Sequence, residues 1–114
     1  MSYYNQVNRK TLLTYLYNGL CYMYECGLSV EQVAEYIGLS AQYLPVQGSN
    51  TLDITDENYI NSFHKTELFA YVQNTICFME EAGLSNAEIA DYIGVSEDTI
   101  EKLKVRVESN WKTY

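Results

Sequence analysis

Basic side chains are scarce in this sequence. Its 114 residues carry seven Lys and Arg against fifteen Asp and Glu, a formal net charge of −8 and a pI near 4.4. That balance excludes a protein that coats nucleic acid or anionic membrane through a broad basic surface. Neither half compensates: residues 1–57 hold two basic and six acidic side chains and residues 58–114 five and nine, so each half is −4. Proline occurs once and glycine six times, too few breakers for a low-complexity chain. With 47% hydrophobic and 14% aromatic residues there is ample material for a core, which excludes global disorder. The three cysteines are odd in number and lack the spacing of a secreted scaffold, so reduced thiols are expected. The longest apolar stretch, Leu12 to Tyr24, spans 13 residues and contains Asn18, short of the roughly 20 a membrane span requires. The opening MSYYNQVNRK lacks a signal-peptide pattern. A soluble, cytoplasmic protein without a membrane partner is expected.

Catalytic residue patterns are equally thin. His64 is the only histidine and has no partner spacing around it; Cys21 and Cys26 lie five apart, unlike a CxxC metal pair, and no glycine-rich phosphate loop or nucleophile motif is present. Glu80-Glu81 and Asp56-Glu57 are sequence neighbours and read as solvated faces. The expectation is a non-enzyme with neither cofactor nor metal.

What is present is an internal repeat. An offset of 56 pairs Tyr3 to Leu44 with Tyr59 to Ile100 without a gap, and sixteen of those 42 positions match, among them Asn18/Asn74, Gly27/Gly83, Ser29/Ser85, Ala34/Ala90, Tyr36/Tyr92 and Gly38/Gly94. Leu12, Leu16, Leu20 and Met23 recur at helical spacing, as do Leu68, Val72, Ile76 and Met79, and predict a long helix in each copy. Gly27 and Gly83 stop these helices. Ser29 and Ser85 then cap a second helix carrying Val33, Ala34 and Ile37, or Ile89, Ala90 and Ile93. Gly38-Leu39-Ser40 and Gly94-Val95-Ser96 repeat the signal before a third helix. Pro45 truncates that helix in the first copy, because proline inside a helix costs about 3 kcal/mol; in the second it runs from Glu97 to about Asn110. Residues 45–58 are rich in turn formers and read as a connector, with a short extended segment around Leu52 and Ile54.

The order helix, glycine turn, helix, with Ala90 midway, Gly94 four residues on, and aliphatics at Ile89, Ile93, Val95, Ile100 and Leu103, resembles the helix-turn-helix superfamily. The resemblance implies an all-α fold of two tandem three-helix units: residues 1–44, the connector 45–58, and residues 59–114 with the full-length third helix. In that superfamily bases are read from the start and exposed face of the third helix, which corresponds here to Ser96, Glu97, Asp98, Glu101, Lys102 and Val105. Three of these six are acidic and would repel phosphate. For a DNA reader, the matching contacts would be Ser96, Thr99, Lys102, Lys104 and Arg106, with a homodimer gripping phosphates through the basic cluster that Lys112 completes.

Twelve tyrosines exceed the usual share. Tyr15, Tyr22, Tyr36, Tyr71 and Tyr92 have aromatic counterparts in the other copy and are expected at the core or its edge. Tyr17 and Tyr24, one heptad apart, face Gln73 and Glu80 in the alignment. With Leu13 and Cys21 they form an additional apolar stripe that packs internally or meets a partner. Two functions follow. The first is a protein-binding regulator or inhibitor that docks on nucleic-acid-handling machinery through Glu97, Asp98, Glu101, Tyr17 and Tyr24, by analogy with small phage-encoded inhibitors of the anti-CRISPR type. The second is a dimeric DNA-binding transcriptional regulator reading with the second unit.

Overall fold

A computed structural model describes residues 3–40, 44 and 57–104. The truncation at Pro45, the connector with Leu52 and Ile54, and the third-helix extension through Val105, Arg106 and Asn110 lie outside the described residues. Among the described residues the regular elements are helices: α1 (Tyr3–Gln6), α2 (Arg9–Glu25), α3 (Val30–Ile37), α4 (Glu57–Asn61), α5 (Lys65–Glu81), α6 (Asn86–Ile93) and α7 (Glu97–Lys104). The protein is all-α over these residues. None of these helices is long and apolar enough to cross a membrane.

Each boundary follows from a local interaction. The Asn8 side chain accepts a hydrogen bond from the Thr11 amide at 2.8 Å and caps α2. At α5 the Glu67 carboxylate accepts from the His64 amide at 3.1 Å, so the single histidine stands at a helix start. Ser29 and Gln32 form a reciprocal capping box on α3, and Ser85 and Glu88 form another on α6. The long helices end alike: the Leu28 amide donates to the Met23 carbonyl and the Leu84 amide to the Met79 carbonyl, a Schellman closure around Gly27 and Gly83. Gly94, at φ 89°, turns the chain from α6 into α7 in three residues. That left-handed backbone disfavours any side chain.

Burial converts the sequence periodicity into one core. Leu12, Leu16, Leu20 and Met23 of α2 and Leu68, Val72, Ile76 and Met79 of α5 are buried together with Val33, Ile37, Ile89 and Ile93. Val7, Ile60 and Phe63, from segments without a strong sequence signal, complete it. Leu44 is also buried. At the usual 1.5–3 kcal/mol for each fully buried large aliphatic or aromatic side chain, this shared core is the main stabilising term.

The two long helices approach closely. A β-carbon on Gly19 would lie 2.7 Å from both Cβ and Oγ1 of Thr75, which is wholly buried. Gly19 therefore permits a backbone approach no other residue allows.

Two further bonds tie the helices together reciprocally. The Asn18 side chain of α2 donates to the Ile93 carbonyl at the end of α6 at 2.8 Å, and the Asn74 side chain of α5 donates to the Ile37 carbonyl at the end of α3 at 2.9 Å. Both acceptors are helix-end carbonyls, which lack a partner within their own helix.

Candidate functional site

The segment the sequence singles out begins with Ser96, whose Oγ accepts from the Thr99 amide at 3.2 Å and lies 3.0 Å from the Thr99 hydroxyl. Both residues are thereby engaged in starting α7. Ile100 and Leu103 are fully buried, which turns Glu97, Asp98, Glu101 and Lys102 to the solvent side, all four exposed. Lys102 pairs with Asp98 at 3.0 Å, one helical turn away. This pair is exposed and worth little to stability, about 0–1 kcal/mol, but it offsets the ammonium with a carboxylate.

Lys104 has a different surrounding. It is half-buried, its ammonium donates to the Asn86 side-chain oxygen at 2.7 Å, and it pairs with Glu80 of α5. Asn86 in turn donates to Glu101. The Gln73 side chain donates to the Leu103 carbonyl at 2.7 Å. Glu101 and Lys104 thus belong to one polar network that fastens α7 to α5 and α6. Arg106 and Lys112 lie outside the described residues.

Tyr17 and Tyr24 are both half-buried. The Tyr24 ring packs against the core and its hydroxyl is buried without a hydrogen-bond partner among the described residues. Leu13, from the same stripe, is fully inside. Burial pushes the Cys21 thiol up, and the Glu25 carboxylate adds to the effect, so the thiol is held neutral.

A second constellation lies across the C-terminal parts of α2 and α5. Tyr36, Phe78, Tyr22 and Tyr92 form a row of edge-to-face rings with centroids 5.3, 6.1 and 4.7 Å apart in that order. Its two ends are anchored alike: the Tyr36 hydroxyl donates to Glu81 at 2.8 Å and the Tyr92 hydroxyl to Glu25 at 2.9 Å. Burial, with the Glu81 bond second, holds the Tyr36 hydroxyl far above the usual tyrosine range. At Tyr92 the Glu25 bond is the main cause of an upward shift.

No family model matches the sequence, and no curated protein or solved structure matches it either.

The charge around this row is legible in the sequence. Between Lys10 and Lys65, and again between Lys65 and Lys102, the sequence contains no Lys or Arg. α3 and α6 are therefore wholly without cations, while Glu31, Glu35, Glu88 and Asp91 are exposed on them. Asn18 and Asn74 also carried a signal. An asparagine at the same place within the apolar stretches of both long helices needs a polar partner when buried. Among the described residues no group of three His, Cys, Asp or Glu side chains is arranged as metal ligands would be.

The tyrosine shifts set an alkaline limit on stability. A hydroxyl that ionises later in the folded state than its ordinary value near 10 keeps its proton while the unfolded chain loses it. Stability is fully present below about pH 10 and falls as pH rises toward the folded values. Urea unfolding at pH 8, 10 and 11 should show this decline, and the Tyr36→Phe, Tyr92→Phe double variant should show a shallower one. An identical pH slope in parent and variant would mean that these two hydroxyls are not its source.

Proposed function

We propose that this chain is a small acidic regulator or inhibitor that binds a protein of the nucleic-acid-handling machinery, built on a duplicated helix-turn-helix scaffold. Matching helix boundaries support the duplication: α2 and α5 begin and end 56 positions apart, as do α3 and α6. The reciprocal Asn18 and Asn74 bonds, and the Tyr36 and Tyr92 bonds, follow the same offset. The protein-binding reading rests on the charge of α7. Its first turn exposes Glu97 and Asp98, Lys102 is offset by Asp98, and Lys104 is committed to Asn86 and Glu80. Such a face repels phosphate and attracts a basic surface evolved to hold it. The reading assigns the chain no catalytic step.

Charge complementarity acts mainly on association rate. Glu97→Lys with Glu101→Lys should slow association with a protein partner captured from a lysate of the source cell by about tenfold at low salt. Surface changes of this kind usually alter stability by only about 0.5 kcal/mol each, although Glu101 also loses Asn86. An unchanged association rate would sink the α7 reading. The alternative, a DNA reader, has in its favour Ser96 and Thr99 at the start of α7 and the exposed Lys102 in its last turn. It requires parent protein to bind DNA near physiological salt, with Lys102→Ala flattening the salt dependence by about one unit.

A further inference from the structure

Beside Tyr36 the surface holds a cleft of about 260 Å³ lined by Glu31, Gln32, Glu35 and Tyr36. It is smaller than the ~300–1,000 Å³ typical of small-molecule pockets, and suits a single inserted side chain. Glu31 and Glu35 are one helical turn apart on α3, and neither has a hydrogen-bond or ion-pair partner among the described residues. Like charges at this spacing destabilise a helix. Glu31 is offset by the positive end of the helix, being in its first turn; Glu35 is not. An ordinary solvated helix face interleaves both signs, whereas α3 has carboxylates alone.

The wall of the cleft is fixed. Tyr36 is held by its hydroxyl on Glu81 and stands edge-on to Phe78, so the ring does not have to be ordered when something binds. Two carboxylates and an immobilised aromatic ring are groups that recognise a guanidinium; the Gln32 side-chain oxygen beside them is already held by the Ser29 amide at 2.8 Å. A guanidinium binds carboxylate oxygens in pairs and also packs on aromatic faces.

We propose that this cleft receives an arginine side chain from a basic segment of a protein partner, with the aromatic row from Tyr36 to Tyr92 as the apolar floor along which that segment lies. The occupant is set by charge complementarity: no Lys or Arg lies between Lys10 and Lys65 in sequence, Lys104, on Glu80 of α5, is already paired, and a nucleic acid would bring more negative charge to an acidic face. The inference rests on the reading that the chain binds protein, but it uses α3 rather than α7.

The test is fluorescence anisotropy with a labelled nona-arginine peptide against the full chain at about 0.15 M ionic strength, where the Debye length is only about 8 Å. Glu31→Gln with Glu35→Gln preserves shape and should weaken binding about tenfold, since two solvent-exposed charge contacts are lost together. Its thermal midpoint should not fall below the parent's, since a like-charge pair is removed. Glu97→Gln with Glu101→Gln should change the affinity by less than about threefold, because exposed charges at a distance are screened. Absence of peptide binding by the parent, or parent-like binding by the α3 variant, overturns the cleft. Equal weakening by both variants does so too, since it shows general charge attraction. Loss confined to the α7 variant overturns the cleft while leaving the α7 reading intact. Loss confined to the α3 variant, alongside partner association indifferent to Glu97 and Glu101, upholds the cleft and removes the α7 reading.

Discussion

Gly19→Thr is expected to cost about 3 kcal/mol, at the upper end of what overpacking a closed core imposes, and Thr75→Gly added to it should recover most of the loss. For a chain of this size the single substitution corresponds to roughly 10–20 °C in Tm. At an open position in a helix, replacing glycine would stabilise by about 0.5–1 kcal/mol. The sign reverses here because any β-carbon at residue 19 lies 2.7 Å from Thr75. Thr75 donates its hydroxyl to the Val72 carbonyl at 2.7 Å, within its own helix. A threonine at 19 has the corresponding Leu16 carbonyl available, 56 positions earlier, so exchanging the two residues preserves both volume and hydrogen bonding. Urea unfolding of the two variants decides the matter. A parent-like midpoint for the single variant, or a double variant no better than the single, would show that the helices do not meet at this pair.

Leu103→Ala should cost about 2–5 kcal/mol, the range for truncating a buried leucine. It should also release α7. An eight-residue helix is not stable alone; α7 is held by the buried Ile100 and Leu103, by the Gln73 bond to the Leu103 carbonyl, and by Lys104. Amide exchange measured over residues 97–104 should accelerate more than exchange over α2. Unaltered protection of α7 together with an unaltered Tm would mean that Leu103 does not anchor it.

The long helices and their stops were legible because their signals are local. Apolar spacing from Leu12 to Met23, glycine at 27 and 83, and serine at 29 and 85 each act within one turn of chain, and the structure has the elements where these residues call for them. What remained hidden depends on residues far apart. Thr75 carries no mark that it faces Gly19, and the row from Tyr36 to Tyr92 draws on four helices. Lys104 looked like one member of a basic cluster, since its engagement with Asn86 and Glu80 needs α5, α6 and α7 in place. The short helix α1 has too little periodicity to register, whereas the acidic run Thr55-Asp56-Glu57 reads as a helix start and α4 begins at Glu57.

The reciprocal asparagine bonds bear on how the chain is made. The end of α3 waits for Asn74, and the Asn18 of α2 waits for the end of α6. Neither half can complete its contacts while the other is still within the ribosome, so the nascent amino-terminal half must stay incomplete for the few seconds that synthesis through α6 takes at 5–20 residues per second. Folding is then one late, cooperative closure over widely separated residues. Truncation before α5 would leave the apolar faces of α2 and α3 exposed to aggregation and proteolysis, and truncation between α5 and α6 would still leave Asn18 without its acceptor, so incomplete products would be short-lived.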